Sequence, residues 1–414
     1  MAGTAERFFI SGGRFAVDGV GLDELVRSGG TPQYAYSAGT IRAKYARLSE
    51  SFAGCDVLYS LKANPNPRIV RLLAKCGAGA EVSSAGELAT ALGAGIAPDS
   101  IIWVGPAKTE ADIRLAIEKG IYAVVADWPG ELEWLEALAC AAGRTVRVLL
   151  RINTRETRPE AKEVMVGGPS KFGFDEESVV EQVGGLGLSC ARICGIQVYS
   201  ASQVLDSTWL DRHLEYVAEL ALRLSAQLEF KLECVDFGGG FGIPYDDGQS
   251  ELDLRPASAA MRRLRGLDPQ RLGQCRIVFE SGRYLVAESG VFLTQVIRVK
   301  ESRGRRFVIT DGGMNAFSRP VFMRIRHPAR LVSRPGEPVA GTWDICGPVC
   351  TPLDCIGKDE PLPEPRPGDI IGFFNAGAYG HSMSLLDFMS TGRPAETLCD
   401  AGRVEVVREP VRYL

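Results

Sequence analysis

Tyr59-Ser60-Leu61-Lys62-Ala63-Asn64-Pro65-Asn66 sets one lysine between an apolar run and a proline-rich turn. Residues 56–61 read as a short buried strand, and the Asn-Pro-Asn-Pro stretch that follows reads as the turn that ends it. An amine at the end of a core strand is costly unless it is neutral, paired or covalently bound. The position suits a Schiff-base lysine that anchors an aldehyde cofactor. It equally suits a lysine that snorkels out to water from the strand end.

Outward from this lysine, apolar β-rich runs recur at 56–61, 79–83, 101–104, 121–126, 146–152, 193–200, 232–237 and 276–280. Amphipathic stretches lie between them, at 67–75, 85–92, 110–119, 130–142 and 207–228. Eight strands joined by helices fit a (β/α)8 TIM barrel of about 250 residues better than an open doubly wound sheet. After about residue 282 the runs become short and β-rich, at 290–300, 306–311, 330–332 and 369–374, separated by Pro/Gly turns. Strand-like residues 8–10 and 34–36 can complete that second part. The expected class is α/β: a barrel over 37–281, with a β-sandwich or β-barrel domain from 1–36 and 282–414. No internal repeat or low-complexity tract interrupts it.

Composition narrows the function. A chain of 414 residues, 45% hydrophobic and 24% charged, is long enough for two ordinary globular domains. A net charge of −4 without a long basic block argues against a nucleic-acid or membrane-binding surface. No apolar run is long enough to span a bilayer. Residues 1–9 lack a basic start followed by an apolar stretch, so no signal peptide is expected. Eleven cysteines without a framework spacing suggest free thiols in a reducing cytoplasm. Only three histidines, His213, His327 and His381, disfavour a histidine-rich metal site or a Ser-His-Asp triad. Cys346, Cys350 and Cys355 lack Cys-x-x-Cys spacing and a second pair, so no metal is expected. Chemistry therefore falls to Lys, Cys, Asp, Glu, Tyr or a cofactor.

In the barrel reading Lys62 ends strand 1, Gly238-Gly239-Gly240-Phe241-Gly242 follows strand 7, and Glu280-Ser281-Gly282-Arg283 ends strand 8. Barrel enzymes often hold phosphate with the loops after strands 7 and 8, where bare glycine amides approach the anion. The glycine run matches neither the dinucleotide fingerprint nor the P-loop, and a tight turn alone would also use it. The alternative is that Glu280 serves only as an ion-pair partner of Arg283, and Tyr379 only as core cover.

Seven motifs then occur in order: 59–66, 81–88, Ser202-Gln203, 238–242, 280–283, 346–354 and 376–380. Together they resemble the fold-type III pyridoxal-phosphate decarboxylases, the group of diaminopimelate and ornithine decarboxylases, over nearly the whole chain. The resemblance implies an alanine racemase-type barrel with a β domain, and pyridoxal 5'-phosphate as cofactor. It implies that Lys62 anchors the cofactor covalently and that Glu280 pairs with the ring nitrogen. Tyr199 would face the ring, and Ser202, Gly239, Gly240, Gly282, Arg283 and Tyr379 would hold the cofactor, chiefly its phosphate. Cys350 would return the proton after carbon dioxide leaves, with Asp354 beside it, and Arg283, Arg319 and Asp354 would meet the substrate. A homodimer with shared active sites is implied. A thiol suits the proton-donor role because its ordinary pKa of about 8.5 leaves it mostly protonated near neutrality.

Three departures bear on substrate. Tyr199 stands where the family usually has a histidine stacked on the cofactor ring, so an aromatic face is kept and a protonation role is lost. Cys350-Thr351-Pro352 replaces the Cys-Glu-Ser of diaminopimelate decarboxylases, removing the charge partner of a distal ammonium. Met323 replaces a tyrosine that, with the residue matching Arg319, grips a distal carboxylate, which suggests a roomier pocket. These variants resemble the branch acting on modified amino acids in natural-product pathways, such as citryl-diaminopropionate in siderophore assembly or aminoacyl groups tethered to a carrier protein. The expected reaction is decarboxylation of such a derivative. The alternatives are a free basic amino acid such as diaminopimelate, racemisation, which needs a second acid-base residue on the opposite ring face, and a non-enzymatic pyridoxal-phosphate carrier, which lacks the β domain.

Overall fold

Short runs of Val, Ile, Leu and Ala between amphipathic helices pair as eight parallel strands. They are β1 (Asp56–Ser60), β2 (Gly79–Val82), β3 (Ile101–Trp103), β4 (Ala123–Ala126), β5 (Val146–Asn153), β6 (Ala191–Gln197), β7 (Cys234–Asp236) and β8 (Arg276–Ser281). Each pairs with the next, and β8 returns to β1 with Glu280 opposite Leu58. That last pairing closes a barrel, leaves no free edge and excludes the open sheet. Alternate side chains fill the interior: Leu58, Ile102, Ala123, Val125, Leu149, Cys194, Cys234 and Val278 form one buried cluster.

This computed structural model describes residues 8–10, 13–156, 166–246 and 248–412. Residues 1–7, on which the signal-peptide expectation largely rests, lie outside these. Contacts group the chain into two units: 45–243 with 251–282, which is the barrel, and 1–44 with 244–250 and 283–414. Residues 244–250, placed in the barrel by the sequence reading, group with the β-rich unit, where Asn375 Nδ2 donates to the Pro244 carbonyl at 3.0 Å.

The β-rich unit is organised by one long strand, Gly290–Ser302. It pairs antiparallel with Gln33–Ser37, Arg305–Thr310 and Ile370–Phe374. Ala395–Asp400 lies parallel to Gln33–Ser37, so the N-terminal segment is an interior strand of this sheet. Farther out, Gly341–Cys346 pairs antiparallel with Cys355–Leu362, and the residues between these two strands form the turn that carries Cys350. Phe8, Phe15, Val17, Leu22, Leu25, Val291, Leu293 and Phe374 pack in its core.

The expectation that all cysteines are free thiols is corrected: Cys140 and Cys190 form a disulfide. It joins the end of the helix Pro129–Ala141 to the residue before β6. The two cysteines are 50 residues apart and become neighbours only through the barrel's α/β repeat. Among the described residues no helix is long and apolar enough to cross a membrane.

Candidate active site

β1 ends at Ser60, one residue earlier than its apolar run, because Leu61–Ala63 winds into a single 3-10 turn. Leu61 and Ala63 are buried, and Lys62 between them is half-buried. The turn is fixed locally: the Tyr59 hydroxyl donates to the Asn64 carbonyl at 2.8 Å, and Asn66 caps the helix Pro67–Cys76 by accepting from Arg68 N at 3.0 Å. Proline at the first helical position needs no hydrogen-bond partner, so the Asn-Pro-Asn-Pro stretch is both strand stop and helix start.

The Lys62 amine donates to both oxygens of Glu81, each at 2.9 Å. Glu81 comes from β2, directly opposite Ser60, and is fully buried. Burial pushes its carboxyl up, but the Lys62 charge and hydrogen bonds from Ser60, Lys62 and Ser83 outweigh this and hold it below the usual carboxylate range. The amine also lies 5.6 Å from the centroid of the Tyr199 ring. So Lys62 does not simply snorkel into water; it is held at the C-terminal end of the barrel by a buried acid.

Gly238 and the residues after it leave β7 in a turn pressed between β8 and the loop after β6. A Cβ on Gly239 would sit 2.1 Å from the Glu280 carbonyl, and one on Gly240, where φ is +90°, would sit 2.2 Å from the Ala201 carbonyl. Any other residue would push this turn off its neighbours. The glycines thus serve the tight turn and also bring bare backbone to the barrel mouth. The Tyr199 ring packs over the same turn, and Val204 N donates to the Gly240 carbonyl at 2.8 Å, which fixes the loop bearing Ser202. Gly282 packs against Ala63 and Ser60, at the base of the Lys62 turn.

Glu280, on β8, is buried and accepts from Gln197 Nε2 at 3.3 Å. Burial and the nearby Glu81 charge push its carboxyl up to about 7, against the opposing pull of Lys62 and a hydrogen bond with Asp236. Beside it, Gln197 Oε1 and Asp236 Oδ2 are buried without a hydrogen-bond partner among the described residues. Native interiors rarely leave polar atoms unsatisfied, so these two fit a site arranged for a polar guest. A buried acid poised near neutrality, an amine, an aromatic face and a glycine turn together fit a cationic ring that also carries an aldehyde and a phosphate. Sequence reading assigned no role to Glu81, Asp236 or Gln197; a lone polar residue at the end of each apolar strand was the available signal.

In the β-rich unit, Arg283, Arg319 and Tyr379 come together from three distant segments. The Arg283 guanidinium lies 5.2 Å from the Tyr379 ring and donates to the Tyr245 hydroxyl at 3.3 Å. Arg319, buried, lies 5.0 Å from the Tyr379 ring and 5.9 Å from that of Tyr245. His327 packs on Tyr245, and burial together with the Arg319 and Arg283 charges drops its imidazole to about 3, so it stays neutral beside the two arginines. Tyr245 and His327 were not anticipated.

Cys350 is exposed on its turn. Asp354 requires a revision. It is buried, and both carboxylate oxygens accept from backbone amides, Met314 N at 2.6 Å and Val349 N at 2.9 Å. Burial pushes its carboxyl up while those amides pull it back. A carboxylate bound in this way anchors the turn and is not presented to a substrate.

Comparison with known proteins settles the family. Residues 38–287 match the family model described as pyridoxal-dependent decarboxylase, pyridoxal binding domain. The chain belongs to the pyridoxal-dependent decarboxylases. This decarboxylase is 34% identical over 407 residues to the L-glutamyl-[BtrI acyl-carrier protein] decarboxylase of Niallia circulans, covering 95% of this chain and 94% of the relative. It is 32% identical to the diaminopimelate decarboxylase of Aquifex aeolicus, covering 97% and 94%. The crystal structure of diaminopimelate decarboxylase from Helicobacter pylori complexed with L-lysine superposes with a TM-score of 0.86 at 31% identity, covering 94% of this chain and 96% of that one. The decarboxylase is a pyridoxal 5'-phosphate-dependent carboxy-lyase of the alanine racemase-type fold.

Proposed function

We propose that this decarboxylase acts on an amino acid whose side chain is conjugated, to a carrier protein or to another acid, in a natural-product or siderophore pathway. The observation that carries this reading is a missing charge. Thr351 follows Cys350 where an enzyme for a free diamino acid needs an anion, and a distal ammonium left without one is strongly disfavoured. A side chain capped as a thioester or amide needs no such partner. The printed activity of the Niallia circulans relative, on a carrier-linked glutamyl group, supports the same reading.

Bound pyridoxal phosphate supplies the electron sink that lets a carboxylate leave as carbon dioxide. The chain's own residues do the rest. Lys62 anchors the aldehyde carbon, with Glu81 holding the amine in place. Glu280, fixed by Gln197, takes the ring nitrogen, and Tyr199 faces the ring. Ser202, Gly239, Gly240, Gly282, Arg283 and Tyr379 hold the cofactor, chiefly its phosphate. Arg283 and Arg319 receive the substrate's anionic group, Cys350 delivers a proton to the carbon that lost the carboxylate, and Asp354 positions the Cys350 turn.

The enzyme works as a homodimer in the cytoplasm. Support for the dimer comes from apolar side chains left in water at the Cys350 turn: Leu353 is 61% exposed, and Met389, whose sulfur accepts from Cys350 N, is 45% exposed. The test is carbon dioxide release from glutamate thioester-linked to a carrier protein, from side-chain amides of diamino acids, and from meso-diaminopimelate. Turnover of one of the conjugates with only trace release from diaminopimelate is expected; efficient release from diaminopimelate would refute the substrate class.

A further inference from the structure

Glu280 has an acidic neighbour that the chemistry above does not use. Asp236, the last residue of β7, is fully buried. Its Oδ1 accepts from Gly238 N at 2.8 Å, and the Gly238 carbonyl accepts from Glu280 N at 2.8 Å, so one glycine ties the two acids together. Its Oδ2 has no donor to bond among the described residues. After burial, the Glu280 carboxyl is the strongest influence on it. Two buried carboxyl groups tied through one glycine inside a barrel need a proton between them.

The other charges around the pair do not remove that need. Glu81 on β2 adds a third buried acid, and its charge acts on both Asp236 and Glu280. The cations acting on Glu280 are Lys62, already bonded to Glu81, and Arg151 on β5, which also lies 3.9 Å from Asp127. Gln197 on β6 donates to Glu280 but cannot supply a proton.

We propose that Asp236 is a positioning residue that carries this shared proton and donates it as a hydrogen bond to Glu280, keeping Glu280 ionised and aimed at the cofactor's ring nitrogen. Burial, then the Glu280 charge, drives the Asp236 carboxyl well above its ordinary range, while its hydrogen bond is among the forces that hold Glu280 down. The inference rests on the assignment of Glu280 to the ring nitrogen.

A neutral Asp236 makes an unusual demand on substitution. Asn keeps both contacts, its carbonyl accepting from Gly238 N and its amide donating to Glu280, while Ala keeps neither. The measurement is pyridoxal phosphate affinity of the dialysed apoprotein, read from recovery of the visible absorbance band between pH 6 and 9. Asp236→Asn should stay within about threefold of wild type, and Asp236→Ala should weaken binding by about tenfold or more, the worth of one hydrogen bond to a charged group. If Asp236→Asn weakens binding about tenfold, the aspartate acts as an anion and the proposal fails, whether or not the alanine variant folds. If Asp236→Ala binds like wild type, the contact is idle and the proposal also fails. Glu280→Gln separates the two layers. Binding unchanged in this variant would remove the ring-nitrogen assignment and the proposal with it; binding lost there but also in Asp236→Asn would remove the proposal alone.

Discussion

At the N-terminal ends of the barrel strands, charged side chains are paired and in contact with water. Arg192 on β6 donates to both oxygens of Glu233 at 2.7 and 2.9 Å, and Arg276 on β8 meets Asp56 at 2.6 Å. Glu136 accepts from the backbone amides of Ser189, Cys190 and Ala191, beside the Cys140–Cys190 disulfide. At the C-terminal ends the pattern reverses. Three buried acids, Glu81, Asp236 and Glu280, act on one another beside a single lysine, Lys62, and Gln197 Oε1 and Asp236 Oδ2 have no hydrogen-bond partner among the described residues. One end spends its charges on stability. The other gathers like charges in the interior at the mouth, which is where (β/α)8 enzymes place their chemistry.

Substitutions at the two ends should therefore separate activity from stability. The largest effect is expected from Lys62→Ala: loss of the visible cofactor band and a fall in turnover on the order of 10^3-fold or more, with the fold intact by circular dichroism. Retained turnover would break the contrast at its centre. At the opposite end, Cys140→Ser opens a disulfide that spans 50 residues and should cost about 3 kcal/mol in denaturant unfolding while leaving kcat unchanged. A matching loss of kcat would mean the two ends are coupled.

Glu280 gives a prediction with a sign. Its carboxyl is raised to about 7 in the folded apoprotein and lies in the ordinary carboxylate range when unfolded. The folded state therefore binds the extra proton between those values. The stabilisation is complete below the unfolded pKa and is lost as pH rises through about 7. Relative to Glu280→Gln, apoprotein of the wild type should lose about 2 kcal/mol between pH 5 and 7.5. Added pyridoxal phosphate, by supplying a cation to the carboxylate, should flatten that slope. A slope that is already flat in the apoprotein would show that Glu280 is not held near neutrality.

How much of this was legible followed the span of sequence each feature needs. The eight strands, the Lys62 turn and the glycine turn are written in contiguous residues, because strand periodicity, Asn-Pro punctuation and glycine runs act locally. Glu81 is 19 residues from Lys62 and becomes its partner only because β2 pairs beside β1 with Ser60 opposite Glu81. Asp236 and Gln197 likewise acquire meaning from barrel closure. Asp354 was placed at the substrate because its motif said where it lies along the chain and not which amides its oxygens would accept. The disulfide had no spacing signature at all. The residues that define the electrostatics of the mouth were the least visible for the same reason: their effect is a sum over neighbours drawn from five strands.

The smallest predicted effect tests whether the wet end of the barrel is as idle as its geometry suggests. Arg192 and Glu233 form a bidentate pair, the strongest geometry a surface ion pair adopts, yet their side chains are 39% and 24% exposed. Water and salt screen such a pair, and ordering two long side chains offsets part of the gain. Arg192→Ala should therefore cost only about 0.5–1 kcal/mol in urea unfolding, less still at 0.5 M salt, with kcat and cofactor affinity unchanged. Glu233 remains within 3.9 Å of Arg147 and 3.8 Å of Lys231, so the carboxylate is not stranded when Arg192 is removed. A loss of several kcal/mol would mean that the N-terminal end is under the same electrostatic tension as the mouth, and the division of labour between the two ends would have to be abandoned.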